Sequence, residues 1–183
     1  MYTIPELGIP EVKPAIELYR GTLRQKMSPR FTHADLQTKF AIALRSWAEG
    51  RGRVATESRF YFIERDGEPN SSLVPDLAYL SYDRVPYDAI EEAERPNVAP
   101  DIAIEIRSPD DRPVHVEEKT ALYRAYETPW VVVVEPRTQS IDVYELHRER
   151  PQHYQAEDIA RIADGFEIDL RALFAPPAPP SKH

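Results

Sequence analysis

Ala99-Pro100-Asp101-Ile102-Ala103-Ile104-Glu105-Ile106-Arg107-Ser108-Pro109 alternates in character, which reads as a strand. Ile102, Ile104 and Ile106 fall on one face; Asp101, Ala103, Glu105 and Arg107 fall on the other. Upstream, Val74-Pro75-Asp76-Leu77-Ala78-Tyr79-Leu80 reads as a second short strand opened by an acid. Downstream, Pro113 suits the first turn of an amphipathic helix that runs to about Tyr126. The run Trp130-Val131-Val132-Val133-Val134 follows, with the pattern of a strand covered on both faces. Strand, helix and buried strand in that order place the Ile102–Ile106 strand inside the sheet. A half-exposed edge strand with solvated acids is the competing reading.

On neighbouring strands, Asp76 and Glu105 would suit a hard divalent cation, Mg²⁺ or Mn²⁺, with the carbonyl of Ile106 and waters completing the shell. Such an ion lowers the pKa of a bound water and neutralises charge on a phosphate. Glu57 offers a further carboxylate. In the helix, Val116, Lys119, Thr120, Tyr123 and Tyr126 share one stripe, so Lys119 faces the sheet and not the solvent. Arg107 leaves the strand on the face of Glu105; it can grip phosphate but stays protonated and cannot act as a base. Asp101 shares that face but stands roughly 13 Å along the strand, better placed for backbone amides than for the ion.

The rest of the chain supports this centre. Residues 1–20 carry Pro5, Pro10 and Pro14 and read as an arm with a helical turn near residues 16–19. Thr32 and Asp35 resemble a capping box for a helix to about Glu49, with Leu36, Phe40, Ala43, Leu44 and Trp47 as its apolar stripe. His33 lies at the edge of that face, either a packing histidine or a site residue. Residues 54–64 read as one strand, Asp66-Gly67 as a turn and residues 68–72 as a polar loop. Residues 81–99 form a long acidic excursion with a short helix around 87–93. Residues 140–146 complete a hairpin with the valine strand, and residues 159–168 form a late edge hairpin around Asp164-Gly165. The expected organisation is one domain over residues 1–174 and a disordered proline-rich tail over 175–183.

With 183 residues, the chain can bury a sizeable core. It has no cysteine, so thiolate ligands are excluded. No apolar run approaches the ~20 residues of a membrane span, and a cytoplasmic location is expected. The net charge of −8 argues against a broad nucleic-acid-coating surface, though not against a local basic groove.

Taken in order, the Val74-Pro75-Asp76 and Ala99–Pro109 segments, Lys119 with Tyr123, and Val131–Pro136 resemble the restriction endonuclease family abundant in cyanobacteria, placed in the PD-(D/E)XK nuclease superfamily. The resemblance spans roughly residues 15–170. It implies an α/β restriction-endonuclease-like core, a mixed sheet flanked by helices in the order αβββαβ. It also implies that Asp76 and Glu105 match the two motif acids. Arg107 stands where the motif has lysine, and Lys119 matches a lysine moved onto the following helix. Glu57 matches an additional acid and His33 a histidine near the first helix. The expected activity is DNA cleavage dependent on Mg²⁺ or Mn²⁺, and because two cuts in a duplex need two sites, a homodimer is the expected assembly. A catalytically silent binding or assembly module and a small-molecule or nucleotide phosphohydrolase are the alternatives.

Overall fold

The computed structural model describes residues 12–63 and 69–176. A hairpin comes first, β1 (Ile16–Tyr19) and β2 (Thr22–Gln25), closed by Arg20 and Gly21 with φ of 44° and 78°. Two adjacent residues with positive φ match the right-handed twist of paired strands. The helical turn expected at residues 16–19 is therefore a strand, its backbone satisfied by pairing with 22–25.

Helix α1 (Phe31–Trp47) buries Leu36, Phe40 and Leu44, as the stripe predicts. Its capping box is absent. Arg30 is the N-cap, no side chain caps the first turn, and Asp35 instead pairs with Lys39 one turn along.

The single strand expected over 54–64 is two: β3 (Gly52–Thr56) and β4 (Phe60–Ile63). Glu57, at φ 51°, turns the chain out of one ladder, since a left-handed residue cannot continue a strand. β5 (Pro69–Leu73) pairs with β4 where a polar loop was expected. Its Ser71 and Ser72 are buried because their hydroxyls accept from the Arg20 amide and the Arg59 guanidinium, each at 3.0 Å. The Asp66-Gly67 turn lies outside the described residues, as do the start of the arm and residues 177–183 of the tail.

The chain continues through β6 (Leu77–Ser81), α2 (Ile90–Glu94), β7 (Ile102–Ile106), α3 (Pro113–Ala125) and β8 (Trp130–Glu135). It ends with β9 (Ser140–Glu145), β10 (Gln152–Tyr154), β11 (Ile159–Ala163), β12 (Phe166–Asp169) and α4 (Leu170–Phe174). A six-stranded sheet runs β10-β9-β8-β7-β6-β3, with β7 and β8 parallel and the other neighbours antiparallel. Read along the chain, α1, β3, β6, β7, α3 and β8 form the αβββαβ core of a restriction-endonuclease-like α/β fold. β7 is an interior strand and every residue in it is buried.

One face of this sheet carries α1, α4 and the β11–β12 pair, which together bury Ile102, Ile104, Val132, Val134, Ile162 and Phe166. The late hairpin thus lies over a face and does not extend an edge. Burying side chains of this size contributes about 1.5–3 kcal/mol each. The opposite face meets α3 and a second sheet, β2-β1-β5-β4, through Ala78, Ala103, Leu122, Tyr123, Phe60 and Phe62. That second sheet brings the amino-terminal hairpin to the mouth of the core.

Candidate active site

β6 and β7 pair in the register Leu77–Ile104, Ala78–Ala103 and Tyr79–Ile102. One further step sets Asp76 opposite Glu105. On the strand period of two, Glu105 shares the face of Ala103 and Asp76 that of Ala78, the face beneath α3. Asp76 is 3% exposed and Glu105 8% exposed, so every carboxylate oxygen needs a partner.

Each finds one. Asp76 Oδ1 accepts from Lys26 Nζ at 2.7 Å. Its Oδ2 accepts from the Ile106 amide at 2.7 Å and lies 3.1 Å from His33 Nε2. One turn along α1 from His33, Gln37 donates to the Asp76 carbonyl at 2.8 Å, so the helix grips the strand twice. Glu105 Oε1 accepts from the Tyr123 hydroxyl at 2.9 Å, and Oε2 pairs with Lys119 Nζ at 2.7 Å. Lys119 also reaches Glu17 Oε1 at 3.0 Å, and that same oxygen accepts from the Val74 amide at 2.8 Å.

Burial alone would raise the pKa of Asp76, but Lys26 and His33 outweigh it and hold the carboxyl well below the usual range. At Glu105, burial wins over the nearby Lys119 and Lys26 and pushes the carboxyl up to about 7. Burial disfavours the Lys119 ammonium, yet Glu105 and Glu17 carry its pKa above the ordinary value. Lys119 is thus held as an ammonium, while burial favours the protonated form of Glu105. Burial opposes protonation of His33 too, and its hydrogen bond to Asp76 more than compensates, raising its pKa.

These groups line an open cleft of about 630 Å³ whose wall includes Arg107, Arg112 and His115. Of the residues singled out from sequence, Asp76, Glu105, Lys119 and His33 converge. Ile106 takes part through its amide. Arg107 reaches the cleft, but its Nη1 is held by Glu135 at 2.7 Å. Glu57 stands on the rim, about a third exposed and paired with Lys13 at 2.8 Å, outside the buried network. Asp101 binds the Ser81 amide and Arg84, away from the pair.

Three members escaped sequence reading as site groups: Glu17, Lys26 and the Tyr123 hydroxyl. The Ile16-Glu17-Leu18 alternation ahead of Arg20-Gly21 signals a hairpin, and so a strand able to carry Glu17 inward. Nothing local marks Lys26.

Among the described residues, no group of three or more His, Cys, Asp or Glu side chains is arranged to hold a metal ion. The donors at hand are hard carboxylate oxygens, the kind that Mg²⁺ and Mn²⁺ prefer, and each carboxylate already draws one lysine ammonium. The residues therefore fit a hard cation chemically. Among the described residues, no helix is long and apolar enough to cross a membrane.

No curated protein matches the chain significantly. Among solved structures it is similar to the crystal structure of "a putative nuclease belonging to DUF820" from Anabaena variabilis, at 25% identity and a TM-score of 0.82, covering 95% of this chain and 98% of that one. The family model Uma2, described as "Putative restriction endonuclease", matches residues 6–175. With that match across nearly its whole length, and with the αβββαβ core in place, the chain belongs to the Uma2 family of the PD-(D/E)XK-like nuclease superfamily.

Proposed function

We propose that this protein is a metal-dependent endonuclease that hydrolyses DNA phosphodiester bonds. The observation that carries this reading is the buried opposition of Asp76 and Glu105, with the Lys119 ammonium 2.7 Å from Glu105 at the floor of an open cleft. Asp76 and Glu105 are the residues that would hold Mg²⁺ or Mn²⁺. When bound, such an ion supplies an activated water and neutralises phosphate charge.

The chain's own groups do the rest. Held protonated by two carboxylates, Lys119 steadies negative charge growing on the phosphate and does not accept a proton. Glu17 keeps it aimed. His33 and the Ile106 amide fix one Asp76 oxygen, and the Tyr123 hydroxyl fixes one Glu105 oxygen, so the other oxygen of each, now paired with Lys26 or Lys119, is the one that a cation would take. Arg107 and Arg112 line the wall where a phosphate backbone would pass, and Glu57 is a supporting acid at the rim. Cutting both strands of a duplex needs two sites, which makes a homodimer part of this reading.

The test is calorimetric titration of Mn²⁺ into the parent and Glu105→Ala proteins, followed by plasmid incubation of the same samples. Binding and nicking by the parent, both lost in the variant, are expected. Binding without nicking would move the reading to another phosphate ester, and no binding would leave a silent nuclease fold.

A further inference from the structure

Asp76 and Glu105 are each capped by one lysine, and the two lysines differ in what they would have left if their carboxylate turned elsewhere. Lys119 keeps Glu17 at 3.0 Å. Among the described residues, Lys26 keeps the Val74 carbonyl at 2.7 Å as a direct partner, with Glu105 and Glu17 acting on it from further off. The two Asp76 oxygens differ as well. Oδ2 already takes the Ile106 amide and His33, whereas among the described residues Lys26 is the one partner that Oδ1 shows. Oδ1 is therefore the oxygen with coordinating capacity, and an ammonium sits on it. A divalent cation on the same oxygen would stand within a few ångströms of that ammonium in a buried setting, where like charges repel strongly.

We infer that Lys26 is a second functional lysine of this site: its ammonium holds the cation position on Asp76 and swings to the substrate phosphate when a divalent cation takes that oxygen. This rests on the metal-dependent reading above. The swing belongs to the side chain, because the Lys26 amide donates to the Ala15 carbonyl at 2.9 Å and pins the backbone. The stem has the length and rotatable bonds to move an ammonium several ångströms. Lys26 also lines the cleft, with Met27, Ser28 and Pro29 continuing along its wall, so the space into which it turns is where substrate would lie.

A tethered competitor lowers apparent affinity by the fraction of time it leaves the oxygen free. The experiment compares the parent with Lys26→Gln and Lys26→Arg. Mn²⁺ affinity is measured by calorimetry, and binding of a short DNA duplex by fluorescence anisotropy in Ca²⁺. Lys26→Gln is expected to bind Mn²⁺ about tenfold tighter, having lost the competitor, and to bind the duplex more weakly than the parent. Lys26→Arg should keep close to the parent in both. A purely structural Lys26 predicts the reverse for the metal, since losing a scaffold loosens the site. Equal or weaker Mn²⁺ binding by a folded Lys26→Gln protein overturns the inference, as does unchanged duplex affinity.

A second measurement needs no variant. Acylation of Lys26 in the parent, followed by mass spectrometry, should quicken when Mn²⁺ is added, and unchanged labelling despite Mn²⁺ binding overturns the exchange. If neither parent nor Lys26→Gln binds Mn²⁺, the metal reading itself fails and this inference falls with it.

Discussion

Asp76 and Glu105 face each other across one antiparallel pair, both buried, yet their carboxyl groups are displaced in opposite directions: Asp76 well below the usual range, Glu105 up to about 7. Burial raises both, so the partners decide the difference. Asp76 collects an ammonium, an imidazole and an amide, while Glu105 has a neutral phenol and a lysine it shares with Glu17. One strand pair thus presents a carboxylate held ionised beside one whose protonated form burial favours.

The Glu105 carboxyl makes metal-free stability depend on pH. The folded pKa of Glu105 lies above its ordinary 4.5, so its contribution is fully present below that value and is lost as pH rises through about 7. His33, also raised, slopes the same way; Asp76, lowered, loses its contribution only in strong acid. Thermal unfolding in EDTA should therefore show stability falling from pH 5 to pH 8. Glu105→Gln should flatten that slope, and an unchanged slope would mean that another group titrates.

On the metal-dependent reading, Lys119 would separate holding the metal from using it. Asp76→Ala and Glu105→Ala should abolish both Mn²⁺ binding and cleavage. Lys119→Met should still bind Mn²⁺ and cleave about a hundred- to a thousandfold more slowly, as expected when one stabilising charge at a phosphate is lost. Single-turnover cleavage beside calorimetry reads the two effects apart. An Arg107→Met rate loss as large as that of Lys119→Met would contradict the finding that Glu135 already holds the guanidinium.

How much of this was legible in the sequence follows from how local each signal is. β7 and β8 could be read because alternation and an unbroken valine run are properties of a few adjacent residues. Lys119 could be read because its spacing from Val116 and Tyr123 fixes its helical face. The break at Glu57 could not, since exchange between two sheets, not local propensity, drives that residue to positive φ. β5 was hidden because its buried serines are satisfied by Arg20 and Arg59, partners outside the strand. Lys26 meets an acid fifty residues away, a pairing that only the folded hairpin creates.

Glu17 does two jobs through one oxygen, and two substitutions tell them apart. Glu17→Gln retains an acceptor for the Val74 amide while losing the charge beside Lys119. Glu17→Ala loses both and strands a buried amide, at a cost of about 1–3 kcal/mol. Urea denaturation should rank Glu17→Ala below Glu17→Gln. Equal losses would show that the ion pair with Lys119, not the amide, is what Glu17 contributes to stability.

Gly52 begins β3 opposite Ser81, and the β3–β6 ladder fixes the strand that Asp76 leads into. A Cβ at this position would lie 2.4 Å from the Leu80 carbonyl oxygen and 2.9 Å from the Ser81 Cα, both backbone atoms that cannot turn aside. Gly52→Ala should cost about 1–3 kcal/mol as the ladder shifts. A variant with parental stability would mean that the ladder yields more easily than its geometry implies.

Tyr123→Phe is the narrowest probe of the titrating carboxyl, since it removes one hydroxyl and leaves the ring packed against Phe62. Glu105 Oε1 then loses its donor in a buried setting, which disfavours the charged form further. The folded pKa of Glu105 should rise beyond about 7, and the pH at which metal-free stability levels off should move upward with it. Mn²⁺ binding, which needs the ionised carboxylate, should weaken at neutral pH and recover in more alkaline buffer. A simple scaffold role for the hydroxyl predicts weakening at every pH alike. Calorimetry across that range therefore distinguishes a donor that tunes Glu105 from one that only positions it.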